Sequence, residues 1–553
     1  MLRLIAFCLL FTTIVTEKSP RVVELDGIGA VSGEKYWNGD FYEFYGVPYA
    51  KVPKGRDKFK PPLPVEPWEG IRPAVKRDVV CYQVFLTDDD NDETLLHGEE
   101  DCLTMNFLVP EIANDENLVP VLVYIHSGAF SGGSSNMGRF HYLARHDVLT
   151  VSFNYRLGAW GFACLGTEEI PGNAALKDQL AALQFINKHI RKFGGDPKRV
   201  TLAGFSVGAA LAELLALSKK TDGLIEKLIL ESGSALSPFT INRDPISTAK
   251  NIAISIGFNA TGNLKDLTEF LLEAPALQLA DKSKNFFLTN STFGFSPCIE
   301  SKTNNPDPFL TDSPLDIMNK DDYKKIPVLT GFSNMEGISR TIKFGEWQDE
   351  MNEDFSKFLP ADLKFDKKEN RENVIKEIKK AYFKDEEVSF NTLQEYIDYF
   401  SDSMFKYAIM KSARLHALKS DRPVFFYEFV YVGKLNMKHM YMDKIKGASH
   451  RDQSAYILDF FEHTTKYKDM DTRTRMTTMW TDFVKYENPT AYESLLIDQK
   501  WLKYTMEEQN YMEIGLNLKM KKDLFAKRYQ FWDRIYDKYH WIPMPVNSNM
   551  KYK

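Results

Sequence analysis

The chain has 553 residues, of which 44% are hydrophobic, 13% aromatic and 26% charged, a composition that builds a packed core and excludes a disordered chain. Lys and Arg number 70 against 76 Asp and Glu, so the net charge of −6 offers no bulk attraction to nucleic acid or to an anionic membrane.

At the N-terminus Arg3 precedes an apolar run over 4–15, and the sequence then turns polar at Thr16-Glu17-Lys18. One positive charge followed by a short apolar core reads as a secretory signal peptide over residues 1–17, too short for a membrane span. The remainder, 18–553, has no internal repeat and no low-complexity linker, and it reads as one domain destined for export. Five cysteines occur, and Cys8 leaves with the signal. The other four allow three pairings. Cys81 and Cys102 bracket the polar run 88–93, and closing a loop of that size stabilises a fold by about 3 kcal/mol. Cys164 and Cys298 sit among apolar residues and read as buried free thiols.

Continuous apolar runs at 119–125, 148–153, 200–203, 224–230, 326–330 and 424–427 suit strands of a parallel sheet covered on both faces. Between two of them, 173–193 carries Leu176, Leu180, Leu183, Ile186 and Ile190 at helical spacing. This alternation predicts an α/β fold with one large sheet. The Lys- and Glu-rich stretch 366–387 reads as the solvated face of helices. Two sequons, at Asn259 and Asn290, offer glycosylation sites on an exported chain.

The first strand runs into His126-Ser127-Gly128-Ala129-Phe130, where small residues let main-chain N–H groups face a ligand. The strand at 200–203 enters Gly204-Phe205-Ser206-Val207-Gly208, and helix formers follow. Gly-x-Ser-x-Gly between strand and helix is the pattern of a nucleophile elbow, in which a sharp turn lifts the serine hydroxyl clear of the sheet. The N–H of Val207 is then a third donor for a developing oxyanion. A serine needs a base, and the base an orienting acid. Glu336 stands just past the strand at 326–330, and His450 lies in a polar loop after the strand at 424–427, giving the chain order Ser, Glu, His. Asp452 is a rival acid, and His126 reads as a brace for the loop that carries it. The other histidines, His97, His141, His146, His189, His416, His439, His463 and His540, read as surface or packing residues. Phe130, Phe205, Phe293, Phe295, Phe332 and Phe460 line a pocket or fill the core. No HExxH, CxxC or P-loop pattern is present, so neither a metal nor a cofactor is expected.

Further stretches match a known family in order: Tyr45-Gly46-Val47-Pro48-Tyr49-Ala50, Glu100-Asp101-Cys102-Leu103, Asn154-Tyr155-Arg156-Leu157-Gly158, Gly172-Asn173-Ala174-Ala175, Phe193-Gly194-Gly195-Asp196-Pro197 and Trp480-Thr481-Asp482-Phe483. With the elbow, they make the chain resemble the type-B carboxylesterases of the cholinesterase/carboxylesterase family, and within it the insect secreted carboxylesterases. The resemblance implies an α/β-hydrolase fold with a large mixed, mostly parallel sheet flanked by helices. It implies a Ser206–Glu336–His450 triad acting through an acyl-enzyme on small-molecule esters. It also carries oxyanion donors onto Gly128, Ala129 and Val207, and a disulfide onto Cys81–Cys102. Small, xenobiotic or odorant esters fit, and nothing in the sequence sets an oligomeric state. The family usually has Glu or Gln before the serine, Ala after it, and His-Gly-Gly-Gly in the loop. Phe205, Val207 and Ser127 depart from this, and Ser127 predicts a shifted first turn in that loop because it lacks glycine's freedom at positive φ. A weakly active or non-catalytic ester-binding relative is the alternative those departures raise.

Overall fold

The computed structural model describes residues 20–84, 96–283, 288–303, 305–437, 445–459 and 464–546. The segment 1–17 expected to be a signal peptide, the run 88–93, Phe460, His439 and His463 lie outside them.

Among the described residues thirteen strands form one sheet, twelve of them along a continuous path. In chain order they are β1 (Arg21–Leu25), β2 (Gly29–Lys35), β3 (Phe41–Pro48), β4 (Thr104–Pro110), β5 (Val119–Ile125), β6 (Leu149–Phe153), β7 (Gly195–Phe205), β8 (Lys227–Glu231), β9 (Val328–Ser333), β10 (Val424–Phe429), β11 (Asn510–Ile514) and β12 (Leu518–Lys522). Their spatial order is β1-β2-β3-β4-β6-β5-β7-β8-β9-β10-β11-β12, and the short strand Ile71–Pro73 pairs beside β2. The middle, from β6 to β11, is parallel. At both margins the twelve-strand path runs antiparallel, so the sheet is mixed.

The parallel strands are apolar on both faces because both faces are covered. Val121, Val123 and Ile125 of β5 belong to one hydrophobic cluster, and Leu122 between them belongs to the other. Likewise Leu228 and Leu230 face one side of β8, and Ile229 the other. The covering helices include α1 (Ala174–His189), α2 (Val207–Ala216), α3 (Lys368–Phe383), α4 (Tyr407–Lys419), α5 (Tyr467–Tyr486) and α6 (Ala526–Tyr539). In the Lys- and Glu-rich α3 only Val374, Ile378, Tyr382 and Phe383 are buried, as its charge pattern predicts. Among the described residues no helix is long and apolar enough to cross a membrane.

Strand order reverses at β5: β6 lies on one side of it and β7 on the other. In parallel sheets such a switch point opens a crevice at the carboxyl ends of the strands. Register sharpens the placement, because Ile125, the last residue of β5, pairs with Gly204, and Phe205 pairs with Glu231. The loop after β5, the turn after β7 and the segment after β8 therefore leave the sheet side by side.

Among the described residues two disulfides are present. Cys81 and Cys102 are bonded, with Cα atoms 5.0 Å apart. Cys164 and Cys298 are also bonded, which corrects the reading of them as free thiols. Their apolar surroundings report burial, which a cystine shares with a thiol, and a separation of 134 residues leaves no local cue to the pairing. Bridging so long a loop stabilises a fold by about 4–5 kcal/mol in the chain-entropy account. Replacing both residues, Cys164→Ala with Cys298→Ala, is expected to lower the melting temperature clearly. Thiol alkylation of the unreduced native protein should label neither residue. An unchanged melting temperature in the double variant would remove the bridge from the stability account.

Candidate active site

Ser206 follows β7 directly and caps α2 with φ 54° and ψ −121°, a conformation rare for a side-chain-bearing residue. Strain of this kind costs of order 1–3 kcal/mol and persists only where the surroundings enforce it. They do so here through its glycine neighbours. A Cβ on Gly204 would lie 2.3 Å from the Gly208 carbonyl carbon, and one on Gly208 would lie 2.3 Å from Ile125 O. Only hydrogen at both positions lets β7, α2 and the end of β5 pass so closely. Ser206 N–H donates to Glu231 O at 2.7 Å, fixing the turn against β8.

The three residues that sequence order placed in one relay meet above the sheet. His450 Nε2 lies 3.0 Å from Ser206 Oγ, and His450 Nδ1 lies 2.5 Å from Glu336 Oε2. Ser206 and Glu336 are buried, whereas the His450 side chain keeps 16% exposure. Their positions follow from strand ends. Ser333, the last residue of β9, pairs with Phe429 of β10, and the 3-10 turn from Glu336 begins three residues later. The loop with His450 is anchored beside it, since Met335 N–H donates to Ala448 O (2.9 Å) and Ala448 N–H to Asn334 Oδ1 (2.8 Å). Asp452, the rival acid, is occupied elsewhere: it accepts from Ser449 N–H, Met437 N–H and Asn436 Nδ2 and so shapes the loop.

The glycine-containing loop after β5 bends through positive φ at Gly128 (129°), Ala129 (51°) and Phe130 (63°). Ser127 is not among the positive-φ residues, so the turn expected to suffer from it falls instead on the next three residues. Among the described residues the N–H groups of Gly128, Ala129 and Val207 take no acceptor from the protein. His126 braces this loop as read: its ring stacks on Tyr155 at 4.3 Å, its Nδ1 lies 2.9 Å from Ser127 O, and Tyr155 Oη donates to His126 O. Burial pulls the His126 imidazole down to about 4, so it stays neutral at physiological pH. Gln83 clamps the far side of the loop through Gly133, donating to its carbonyl and accepting from its N–H. It stands two residues after bridged Cys81, which ties the disulfide to the loop's position.

A chain of phenyl-ring contacts starts on His450. Phe205 and Phe405 lie 4.6 and 4.4 Å from the His450 ring. From Phe405 the contacts pass through Phe239 and Phe293 to Phe130 in the loop after β5. Phe130, Phe205, Phe293, Phe295 and Phe332 are all buried, and of these Phe332 packs instead on Phe426 in the core. Phe405 and Phe239 carry no sequence pattern that singles them out. Two of the histidines read as bland are bonded in structural networks: His141 between Glu43 and Asp459, and His416 on Glu213. Among the described residues no group of three or more His, Cys, Asp or Glu side chains could hold a metal ion.

Sequence reasoning missed the side chains behind Glu336. Ser232 Oγ and Ser333 N–H both donate to its Oε1, at 2.6 and 2.7 Å. The run Glu231-Ser232-Gly233-Ser234 directly after an apolar strand was the available signal. Glu231 itself is buried, with Trp480 Nε1 donating to it at 2.9 Å and Ser454 Oγ at 3.3 Å. Burial outweighs these bonds and pushes its carboxyl up to about 7. A carboxyl raised on folding contributes stability that is full below its unfolded value near 4.5 and is lost as pH rises through 7. Glu231→Gln escapes that loss, so its melting temperature is expected to gain on the wild type from pH 5 to pH 7 and to hold that gain above pH 7. A difference independent of pH would contradict the shift.

Sheet, switch-point crevice and a strained serine between strand and helix define an α/β-hydrolase. The sequence profile of the carboxylesterase family matches residues 19–532, and the chain belongs to that family. It is a carboxylic ester hydrolase. A carboxylic ester hydrolase of Bombus ignitus is 30% identical over 538 residues, 94% of each chain. Esterase FE4 of Myzus persicae is 32% identical over 514 residues, 89% of each chain. The crystal structure of juvenile hormone esterase from Manduca sexta, with OTFP covalently attached, aligns with a TM-score of 0.81 at 29% identity, over 94% of this chain and 100% of that one.

Proposed function

We propose that this protein is a secreted serine carboxylesterase, a single α/β-hydrolase domain over 18–553 behind a signal peptide at 1–17. In this reading Ser206 is the nucleophile, His450 the base, and Glu336 the acid that orients it. The observation that carries the reading is the chain of contacts from Ser206 Oγ to His450 Nε2 (3.0 Å) and from His450 Nδ1 to Glu336 Oε2 (2.5 Å), with Ser206 in strained backbone at the head of a helix.

The chemistry proceeds in two halves. As Ser206 Oγ attacks the ester carbonyl carbon, His450 Nε2 takes its proton, and Glu336 offsets the imidazolium charge. The carbonyl oxygen becomes an oxyanion held by the N–H groups of Gly128, Ala129 and Val207. One such donor is typically worth ~3 kcal/mol in the transition state. Collapse breaks the ester C–O bond, and the imidazolium returns the proton to the leaving alcohol. Water then attacks the acyl-serine, giving its proton to His450, and the acid leaves as Ser206 recovers its hydrogen. A histidine base predicts activity that rises from mildly acid to neutral pH.

The apolar rings packed next to His450 support small or xenobiotic and odorant esters with apolar acyl or alcohol groups. Export is supported by the two disulfides, a bond type of oxidising compartments. It is also supported by the sequon at Asn259, which is exposed with Thr261 Oγ1 donating to its Oδ1, and by the similar pair Thr292–Asn290. Stopped-flow hydrolysis of p-nitrophenyl acetate tests the reading. A burst followed by steady turnover is expected, whereas one equivalent of product without turnover would mark an ester-binding sink. A panel of acetates, butyrates and methyl esters of graded alcohol length then defines the substrate.

A further inference from the structure

A cationic cavity of about 560 Å³ lies on the surface of a chain whose net charge is −6. Ligand-binding pockets have this size. Among the described residues five cations line it, Lys357, Lys364, Lys367, Lys368 and Arg371, all exposed, and no carboxylate joins them. Its apolar lining includes Leu359, Pro360 and Leu363, which are buried, and the half-buried Trp541. Lys364 Nζ stands 5.0 Å from the centre of the Trp541 ring. The cavity shares no lining residue with the triad site.

Acids neutralise only part of this charge. Lys357 pairs with Glu350 at 3.0 Å, and Lys368 lies 3.5 Å from Glu372. Among the described residues Lys364, Lys367 and Arg371 have no ion-pair partner. Asp354, close by in sequence, accepts from Ser356 N–H instead. Helix polarity works against the arrangement as well. Lys367 caps α3, Lys368 opens it and Arg371 follows three residues on, with Glu369 the one acid of the first turn. Cations at a helix N-terminus oppose its dipole, and like charges round one small cavity repel. The fold gains nothing from this crowding, whereas a polyanion bound there relieves it.

We propose that this cavity binds a sulfated polysaccharide, its sulfates on the five cations and a sugar ring against Trp541. A single monovalent anion satisfies one or two of five separate cations, so the ligand carries several charges along its length. Sugar rings present apolar C–H faces that pack on aromatic rings, and Trp541 supplies one. A flat anionic bilayer fits a hollow poorly, because the apolar side chains it would need are buried at Leu359 and Leu363. Export, as proposed above, selects a sulfated polysaccharide over nucleic acid, while the cavity itself stands without that reading. Asn290 of the second sequon also lines the cavity, so a glycan attached there would compete for the space.

The test titrates the full chain, treated with endoglycosidase, with heparin at graded NaCl concentrations. Wild type is expected to bind with a Kd of order micromolar at about 0.1 M salt, and log Kd should rise with log[NaCl] with a slope of about 4, from roughly 0.7–0.9 per contact. The cavity variant combines Lys364→Gln, Lys367→Gln, Lys368→Gln and Arg371→Gln. It should bind at least about tenfold more weakly, with a slope of about 1. The control variant combines Lys188→Gln, Arg191→Gln, Lys192→Gln and Lys198→Gln, which removes the same charge from another exposed cluster. Its Kd should stay within about threefold of wild type, and desulfated heparin should not bind wild type. Thermal melts check the fold, and if the cavity variant does not fold, Lys367→Gln with Arg371→Gln takes its place in the same comparison. No heparin binding by wild type, equal losses in the two variants, or a loss confined to the control would overturn the site. Desulfated heparin binding as well as heparin would overturn the role of sulfate. Tighter binding of phosphatidylserine vesicles or of a DNA duplex than of heparin, lost in the cavity variant, would overturn the choice of polysaccharide. None of these results bears on Ser206, His450 or Glu336, so this proposal and the hydrolase reading fall separately.

Discussion

Ser206→Ala is expected to lower kcat by about a millionfold and to abolish covalent labelling by an organophosphate. The size of the effect follows from what the hydroxyl does: it is the only group proposed to form a bond to the acyl carbon, and His450 Nε2 has its other partner at Ser206 Oγ. What survives should be the contribution of the oxyanion donors and of binding, roughly 10³–10⁴ over the uncatalysed reaction. The fold should not suffer. Alanine keeps the Cβ that the turn already tolerates at φ 54°, and the Ser206 N–H still donates to Glu231 O. Melting temperature and KM should therefore stay near wild type while kcat collapses. Persisting turnover, or persisting label, would take Ser206 out of the nucleophile's role.

The parallel centre of the sheet was legible because burial on both faces writes itself as continuous apolar runs, and β5 to β10 all fall on such runs. The margins were not. β1, β2 and β3 carry charges such as Arg21, Glu24, Glu34 and Glu43, and β12 reads Leu-Lys-Met-Lys-Lys with most of its residues outside the core. An antiparallel strand at a sheet margin is specified by its neighbour's register more than by its own hydrophobicity, so a run-based reading passes over it. The candidate site divides in the same way. Ser206, Glu336 and His450 could be placed because each follows a strand end by a few residues or sits in a polar loop, and chain order did the rest. Ser232, Ser333 and Phe405 are ordinary residue types in ordinary contexts, and only three-dimensional convergence gives them meaning. For the loop after β5, residue type shows which positions resist positive φ, but the loop's closure onto Gly132 and Gly133 decides which positions must adopt it. Ser131 and Gly132 N–H both donate to Gly128 O, and this tight turn puts Ala129 and Phe130, not Ser127, in the left-handed region. Phe205 shows the gain as well as the departure, since in place of a polar neighbour it lays an apolar ring against His450 and excludes water from that side.

Glu336→Gln is expected to lower kcat by about 10⁴ with little change in KM, although the substitution alters one atom. The reason lies in the donors that surround the carboxyl. Its Oε1 accepts from Ser232 Oγ and Ser333 N–H, while Oε2 accepts from His450 Nδ1–H. An amide must present its NH2 to one side or the other. Turned toward the serines, it meets a backbone N–H that has no acceptor to replace the one lost, leaving two buried donors opposed. Turned toward the ring, it donates to Nδ1, so the imidazole carries its proton on Nε2 and cannot accept the proton of Ser206. Either orientation also withdraws the negative charge that offsets the imidazolium in the transition state. Glu336→Asp keeps charge and acceptors but shortens the reach, so it should recover part of the lost rate, and raising the pH should not rescue the Gln variant. The measurement is steady-state kinetics of wild type, Glu336→Gln and Glu336→Asp from pH 6 to pH 9, with organophosphate labelling rates as a readout of the serine alone. A Gln variant within about tenfold of wild-type kcat would mean that another acid, or none, orients the histidine.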